Sequence, residues 1–486
     1  MSDGDWLRLS PRMLLVHPIH EVLRQLPVLI GTVALGSATG NPLWALGALA
    51  ATLALGVARW FTTAYRIGAD EVQLRAGVLQ RKVLSLPRNR IRSVSTDARL
   101  LHRLLGLTVL RVSTGQAAAG DDAFALDAVQ AGEVPRLRAV LLADSLTPAA
   151  DTVAQGEVLA RWRPAWLRYS PLSFTGLTMI LAAAGLLYQA GGAALLRNSG
   201  LAEGGRDVAG RYGVTAIVFI AVVAVLIASV VLSVLRSLLT YGDLLLRRDV
   251  SESGGVLHLR HGLLRQREHT FDLRRLRGGT LREPLLVRAF GGARLDAVMT
   301  GVGGAGEASL LLPPCPADTA RDVLSELIGR PEDVTGPLRR HGPAAARRRW
   351  TRALAAPAFG LVALVVAAVV TGVPAWVWPV WVAVTAVCAL LAADRVRSLG
   401  HRVGDGWLVA RAGSVERRRD CIAGGGVVGW TVRQSFFQRR AGVATLIAAT
   451  AAGQKAYRVL DVPEDAAWTI AAQVSPWLGE VAWARG

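Results

Sequence analysis

The chain of 486 residues carries 55 lysines and arginines against 36 acidic residues, a formal charge of +19, and 52% of it is hydrophobic. That length admits several domains, and the segregation of apolar runs from basic stretches excludes a single soluble globular core. The charge calls for a negatively charged partner, either nucleic acid or the anionic face of a membrane.

The opening MSDGDWLRLSPRMLLVHPIHEVLRQ is too polar for a cleavable signal, and no small-residue cleavage site follows it, so residues 1–25 read as a cytosolic segment. A first apolar hairpin covers 26–61, from Leu26 to Gly40 and from Pro42 to Phe61, turning at TGNP. Its first member is short for a hydrocarbon core that needs roughly 20 helical residues, unless the span starts earlier and Arg24 snorkels. A second hairpin fills 172–240, from Leu172 to Leu196 and from Gly213 to Leu239. The third fills 353–394, from Leu354 to Gly372 and from Pro374 to Ala393, with Trp376, Trp378 and Trp381 near the turn TGVP. Indole rings there suit a headgroup interface. Three modules follow the hairpins at 62–148, 241–330 and 395–480, with linkers at 149–171 and 331–352, the latter strongly basic.

Orientation follows from the loops. Arginines crowd the ends away from the turns (Arg59 and Arg66, Arg247 and Arg248, Arg347 to Arg349), whereas SATGNP and TGVP carry no charge. The positive-inside bias places both termini and all three modules in the cytoplasm of a bacterial inner membrane. Cys315, Cys388 and Cys421 are isolated thiols without metal spacing, which argues against a disulfide framework.

The modules repeat. Aligning Gly77, Gly262 and Gly413 brings Arg75, Arg260 and Arg411 together two residues earlier, and Lys82, Arg267 and Arg418 five residues later. Arg103, Arg288 and Arg439 coincide at 26 residues, and Gly106, Gly291 and Gly442 at 29. Such agreement without gaps indicates a triplicated unit of hairpin plus module. The first glycines suit a tight turn between two strands, as in VQLRAGVLQRKVLSL. LTVLRVST (107–114) and FALDAV (124–129) read as further strands, and DARLLHRLLG as a short helix or an irregular edge. Each module closes with an expected helix, at 133–146, 316–329 and 463–478, with acidic residues near its start.

YRIGADEVQLRAGVL, LPRNRIRSV and LLHRLLGLTVLRVST, a glycine turn, a basic centre and an arginine before a second glycine, resemble the bacterial pleckstrin-homology-like domain. Joined to helix hairpins, the arrangement resembles the YdbS/YdbT-like family of bacterial PH-domain membrane proteins. That resemblance implies a membrane α plus β fold: three transmembrane helix hairpins (six helices), each followed by a small cytosolic PH-like antiparallel β-barrel capped by a C-terminal helix. It brings no catalytic residues.

Other motifs have plainer readings. Gly301, Gly303 and Gly306 satisfy G-x-G-x-x-G, but EASLLLPPC follows where a dinucleotide site needs a helix; the stretch reads as a loop between strands. His258, His261 and His269 read as solvated strand residues, Asp121 and Asp122 as a turn, and Glu464 and Asp465 as a helix start. No nucleophile stands beside a base, so neither an enzyme nor a cofactor is expected. Aromatics are not interleaved with the basic residues, which argues against nucleic acid. The nine basic column residues are the expected contacts to lipid phosphates, which guanidinium binds in bidentate fashion, with a solvated face or pairing to internal carboxylates as the alternative. The six glycines are structural turns.

The expected function is that of non-catalytic, membrane-apposed interaction or scaffolding modules, serving envelope stress or antimicrobial tolerance. Their partners would be anionic headgroups and a membrane protein or a second copy. A component of a transport or export complex is the alternative. Against it, the span interiors offer Thr175, Thr178, Gln189, Ser229, Ser233 and Thr385 but no clear acid or base.

Overall fold

The computed structural model describes residues 6–8, 10–13, 43–68, 70–77, 81–88, 91, 93–113, 124–142, 156–173, 178–182, 185, 214–251, 254–300 and 309–480. The first member of hairpin 1, most of the first member of hairpin 2 and the GVGGAG stretch lie outside them, as do Asp121 and Asp122.

Long, mainly aliphatic runs whose few charges lie towards the C-terminal end fold as helices: Leu43–Thr62, Val214–Tyr241 and Val377–Ser398. Among the described residues, three helical stretches are long and apolar enough to cross a membrane: Val222–Tyr241, Gly342–Val370 and Val377–Ser398. Their apolar side chains stand bare, with Phe359 at 77%, Val369 at 82% and Leu390 at 71% exposure. A helix in a soluble core would have such a surface covered; its exposure is compatible with a membrane protein. The Gly342–Val370 helix also revises a boundary. The expected linker 331–352 is not a loop: Pro331–Thr335 is a short helix, and Arg347 to Arg352 belong to the first turns of the span helix itself.

The chain divides into two compact units. One takes Met1–Arg161 and Leu239–Arg275; the other takes Trp162–Leu238, Leu276–Thr300 and the chain from Gly304 onward. In the first unit, β1 (Leu7–Arg8), β2 (Ala64–Ile67), β3 (Glu71–Ala76) and β4 (Lys82–Pro87) form a sheet in that order. A second sheet holds β5 (Ser93–Ala98), β6 (Leu107–Ser113) and β7 (Phe124–Gln130) of the same repeat. It continues through β8 (Glu157–Arg161), β9 (Leu245–Ser251), β10 (Gly254–His261) and β11 (Gln266–Asp272), in the order β7-β6-β5-β11-β10-β9-β8. The other unit repeats the device. Its β12 (Leu276–Pro284), β13 (Gly292–Met299) and β14 (Leu310–Pro316) join β15 (Gly400–Gly404), β16 (Trp407–Ala412) and β17 (Glu416–Ala423), in the order β14-β13-β12-β17-β16-β15. A last sheet holds β18 (Val427–Arg433), β19 (Val443–Thr450) and β20 (Ala456–Pro463). The sheets therefore do not sort by repeat. The later strands of one repeat pair edge to edge with the earlier strands of the next.

In the first and third repeats both strand sets share one apolar core with the closing helix. Val72, Val94, Leu110, Leu126 and Leu141 cluster in the first, and Leu408, Ile422, Leu446, Val459 and Ile470 in the third. The closing helices run Val134–Leu142, Ala317–Ile328 and Glu464–Val474. DARLLHRLLG contains the short helix Leu100–Leu104, matched by Leu285–Ala289 and Phe436–Arg440.

Each hairpin leaves and re-enters the same sheet. Before and after the first, Leu7 pairs with Tyr65 and Arg8 with Ala64. Around the second, Glu157 pairs with Arg248 and Arg161 with Leu245, so the expected linker 149–171 contains a strand. Around the third, Arg339 bridges His401.

All six aligned glycines have positive φ: +125°, +103° and +106° at Gly77, Gly262 and Gly413, and +69°, +73° and +62° at Gly106, Gly291 and Gly442. At Gly413 a Cβ would also stand 2.0 Å from the carbonyl oxygen of Glu416, whereas around Gly442 the space is open. Gly413→Ala is therefore expected to destabilise the protein by about 1–3 kcal/mol, and Gly442→Asn, which tolerates the left-handed region, by under about 0.5 kcal/mol. Thermal unfolding in detergent, followed by tryptophan fluorescence, checks both.

Candidate functional site

The column two residues before the first glycine works at the ends of span helices. Arg411 donates from Nε to the carbonyl oxygen of Ser398 at 2.9 Å and from Nη2 to that of Arg397 at 3.2 Å, the last carbonyls of the Val377–Ser398 helix. Arg260 pairs with Asp243 at 3.0 Å, two residues past Tyr241. The backbone N–H groups of Gly262 and Leu263 donate to the carbonyls of Gly242 and Leu239 at 2.8 and 3.1 Å. A helix C-terminus leaves carbonyls unpaired and carries partial negative charge, which a cation neutralises. Arg75 lies instead over the ring of Trp6 at 6.0 Å.

The column before the second glycine joins repeats. Arg103 donates to the carbonyl of Leu263 at 2.7 Å, and Arg288 to that of Ser414 at 3.4 Å; each acceptor is the residue after the next repeat's first glycine. Arg288 also pairs with Asp394 at 2.9 Å. The Arg439 side chain, in the third repeat, is exposed and has no polar partner among the described residues. The register at the two joins is the same. Arg267, five residues after its glycine, faces Asp97, twenty after the preceding one; Arg418 faces Arg282 in the same columns. An ion pair three residues after the glycine locks each join, Arg265 on Asp97 at 2.6 Å and Glu416 on Arg282 at 2.9 Å, with the charges exchanged. Burial alone would raise the Asp97 carboxyl, but the hydrogen bond and charge of Arg265, with Arg111 and Arg267, hold it below the usual range. Of the remaining column, Arg418 reaches Gln454 at 2.7 Å, and Lys82 is exposed on the outer strand β4. Most of the predicted column thus serves helix ends and joins, and the structure does not gather the nine cations into one site.

The second glycines share one arrangement. Each donates its N–H to the carbonyl of the arginine three residues back, at 3.1, 2.9 and 3.1 Å for Gly106, Gly291 and Gly442. Each then accepts from the backbone N–H of Ala131, Ala317 or Glu464, at the approach to the closing helix. His261 is a correction to the sequence reading: it is buried, with Nδ1 against the carbonyl of Thr240 at 2.7 Å. His258 lies 3.2 Å from Asp249. Cys315 and Cys421 are buried, and burial pushes both thiols up to about 12, which leaves them protonated and unreactive.

Two features of the third repeat escaped the sequence. His341, at the start of the Gly342–Val370 helix, and His401 in β15 form a buried pair with His341 Nε2 and His401 Nδ1 2.9 Å apart. Asp461, 4% exposed, lies 3.2 Å from both Arg348 and Arg349. Neither belongs to a repeated column, so alignment could not find them.

Apolar hairpins that return to their own sheet, and paired strand sets sharing a core with a closing helix, are the recurring unit. A family model for the bacterial PH domain matches the chain twice, at residues 22–145 and 353–475. The chain belongs to the bacterial PH domain family. Each match spans an apolar hairpin together with the module after it. No curated protein and no solved structure matches the chain.

In the third module of this bacterial PH domain protein, a groove of about 930 Å³ runs between the basic first turns of the Gly342–Val370 helix and the short helix Phe436–Arg440. Arg347, Arg352 and Arg440 line it with Ala355 and Phe437, and none of the three arginines has a polar partner among the described residues. Arg348, also on its wall, is held by Asp461. Phe436 and Phe437 are 69% and 71% exposed. Unpaired cations beside exposed rings, at the point where a span helix turns apolar, suit a phospholipid headgroup and the first part of its chain.

Proposed function

We propose that this protein is a multi-pass inner-membrane protein with both termini in the cytoplasm. In this reading its PH-like modules form a non-catalytic interaction platform held against the inner leaflet, where it scaffolds partners that respond to the state of the envelope. The observation that carries the reading is the return of every hairpin to the sheet it left, because chain paired strand to strand cannot lie on opposite faces of a bilayer. The edge pairing of successive repeats adds to it, since joined sheets make a stiffer platform than modules on flexible linkers. Anionic lipid at Arg347, Arg352 and Arg440 would set the distance of the third module from the surface, with each cation contributing about 1 kcal/mol.

Labelling single cysteines with a membrane-impermeant maleimide tests the reading. Thr371→Cys, in the turn between two spans, is expected to react in intact spheroplasts. Gln473→Cys, exposed on the last closing helix, is expected to react only in inside-out vesicles. Reaction of Gln473→Cys from the outer face would end the proposal.

A further inference from the structure

Among the described residues the two joins leave two strands, β4 and β18, without the partner that their counterparts have. β5 is covered by β11 and β12 by β17, but β18, the same strand of the third repeat, is the outer strand of its sheet. At the other end β4, the counterpart of β11 and β17, is the outer strand of the first sheet. Arg439 stands exposed where Arg103 and Arg288 each hold the turn of a following repeat. From these we infer that β18 of one chain pairs antiparallel with β4 of a second copy, repeating the internal join once more between molecules.

The occupant follows from the page. The two internal joins share one register, so the register of the third is fixed: Arg433 faces Lys82 and Val432 faces Val83, as Arg267 faces Asp97 and Glu268 faces Thr96. Among the described residues no strand pairs with either edge. Val428 is 70% and Val83 58% exposed, and Arg433, Thr431 and Ser85 are exposed. An unpaired strand edge is a template for another strand, and a contact between two different patches of identical chains is head-to-tail. The expected contact is weaker than the internal ones. Asp97 meets Arg265 at the first join, and at the second Arg282, though opposite Arg418, pairs with Glu416; Arg433 would meet Lys82, and like charges directly opposite oppose pairing.

The inference rests on the platform reading, and the two can fail separately: cysteine reactivity from the wrong side sinks both, whereas correct sidedness without association sinks only this one. The test uses full-length chains in which Cys388 is serine, one bearing Val83→Cys and the other Val432→Cys, co-reconstituted in nanodiscs and oxidised with copper phenanthroline. A mixed disulfide between the two chains is expected, because directly opposed residues have Cβ atoms about 4.5–5.5 Å apart. Ser85→Cys with Val432→Cys, two residues out of register, is the control and is expected to link far less. Arg433→Asp restores the carboxylate found at Asp97 and is expected to raise the mass-average association, by sedimentation, about tenfold. Equal cross-linking of the control pair, no cross-link at all, or an Arg433→Asp chain that associates no more tightly overturns the inference. Cross-linking of Val432→Cys in native membranes to a different protein, and not to a second copy, overturns it too.

Discussion

Asp461→Ala is expected to lower the stability of the protein by about 3–5 kcal/mol, the cost of stripping its partner from a buried charge. Arg348 and Arg349 leave the span helix with their side chains 12% exposed, and Asp461 lies 3.2 Å from each. The same carboxylate accepts a 2.8 Å hydrogen bond from Gln438 Nε2, in the short helix Phe436–Arg440. One side chain therefore ties the membrane helix, the short helix and β20 together. Its backbone φ of +52° lies in the left-handed region, which Asn accepts more readily than Ala. Asp461→Asn keeps that conformation and the volume but not the charge, so it should fall between wild type and Ala. Denaturant unfolding in detergent measures the series; an Asp461→Ala protein within about 1 kcal/mol of wild type would show the clamp to be incidental.

Acid is expected to weaken the same region through the histidine pair. A carbonyl only accepts, so the 2.7 Å contact of His341 Nδ1 with the Leu460 oxygen makes Nδ1 a donor. In the neutral pair His341 Nε2 is then the acceptor, and His401 Nδ1 donates to it at 2.9 Å. Burial, then the facing His341 and Arg339, lower His401 to about 4. His341 is also lowered, by burial first and by Arg349, against the opposing pull of Leu460 and Asp461. With folded values below the unfolded ones, the unfolded chain binds protons first. Stability is thus intact above the ordinary histidine value of about 6.5 and drains away as the pH falls towards 4. For His401 alone the loss amounts to about 3 kcal/mol across that window. Melting temperature against pH reads it out, with His401→Phe as the comparison. Parallel curves for the two proteins between pH 7 and 4.5 would refute the assignment.

Much of the local architecture was legible in the residues. The glycine columns demanded turns, and all six have the backbone that demand implies. The short stretch between strand sets, open to two readings, is helical because Leu100 to Leu104 form one turn closed by Gly106. The arginine columns were legible as columns but not as contacts. A guanidinium that suits a phosphate suits a helix-end carbonyl equally, and only the fold shows that Ser398 and Leu263 lie within reach. The basic tract at 339–352 looked like a linker because charge masked a helical segment continuous with the span.

Composition, periodicity and column spacing on their own determined the repeat, the apolar runs and the sidedness expected of the loops, because each is a property of neighbours along the chain; the PH-like architecture was legible only as a resemblance of motifs. Which strands pair across repeats, and so which edges are left open, was decided only in three dimensions. Alternation tells a strand which face to bury, yet every strand edge offers the same N–H and C=O groups, so its neighbour is chosen by distant residues such as Asp97 and Arg265 that meet only once the sheets have formed.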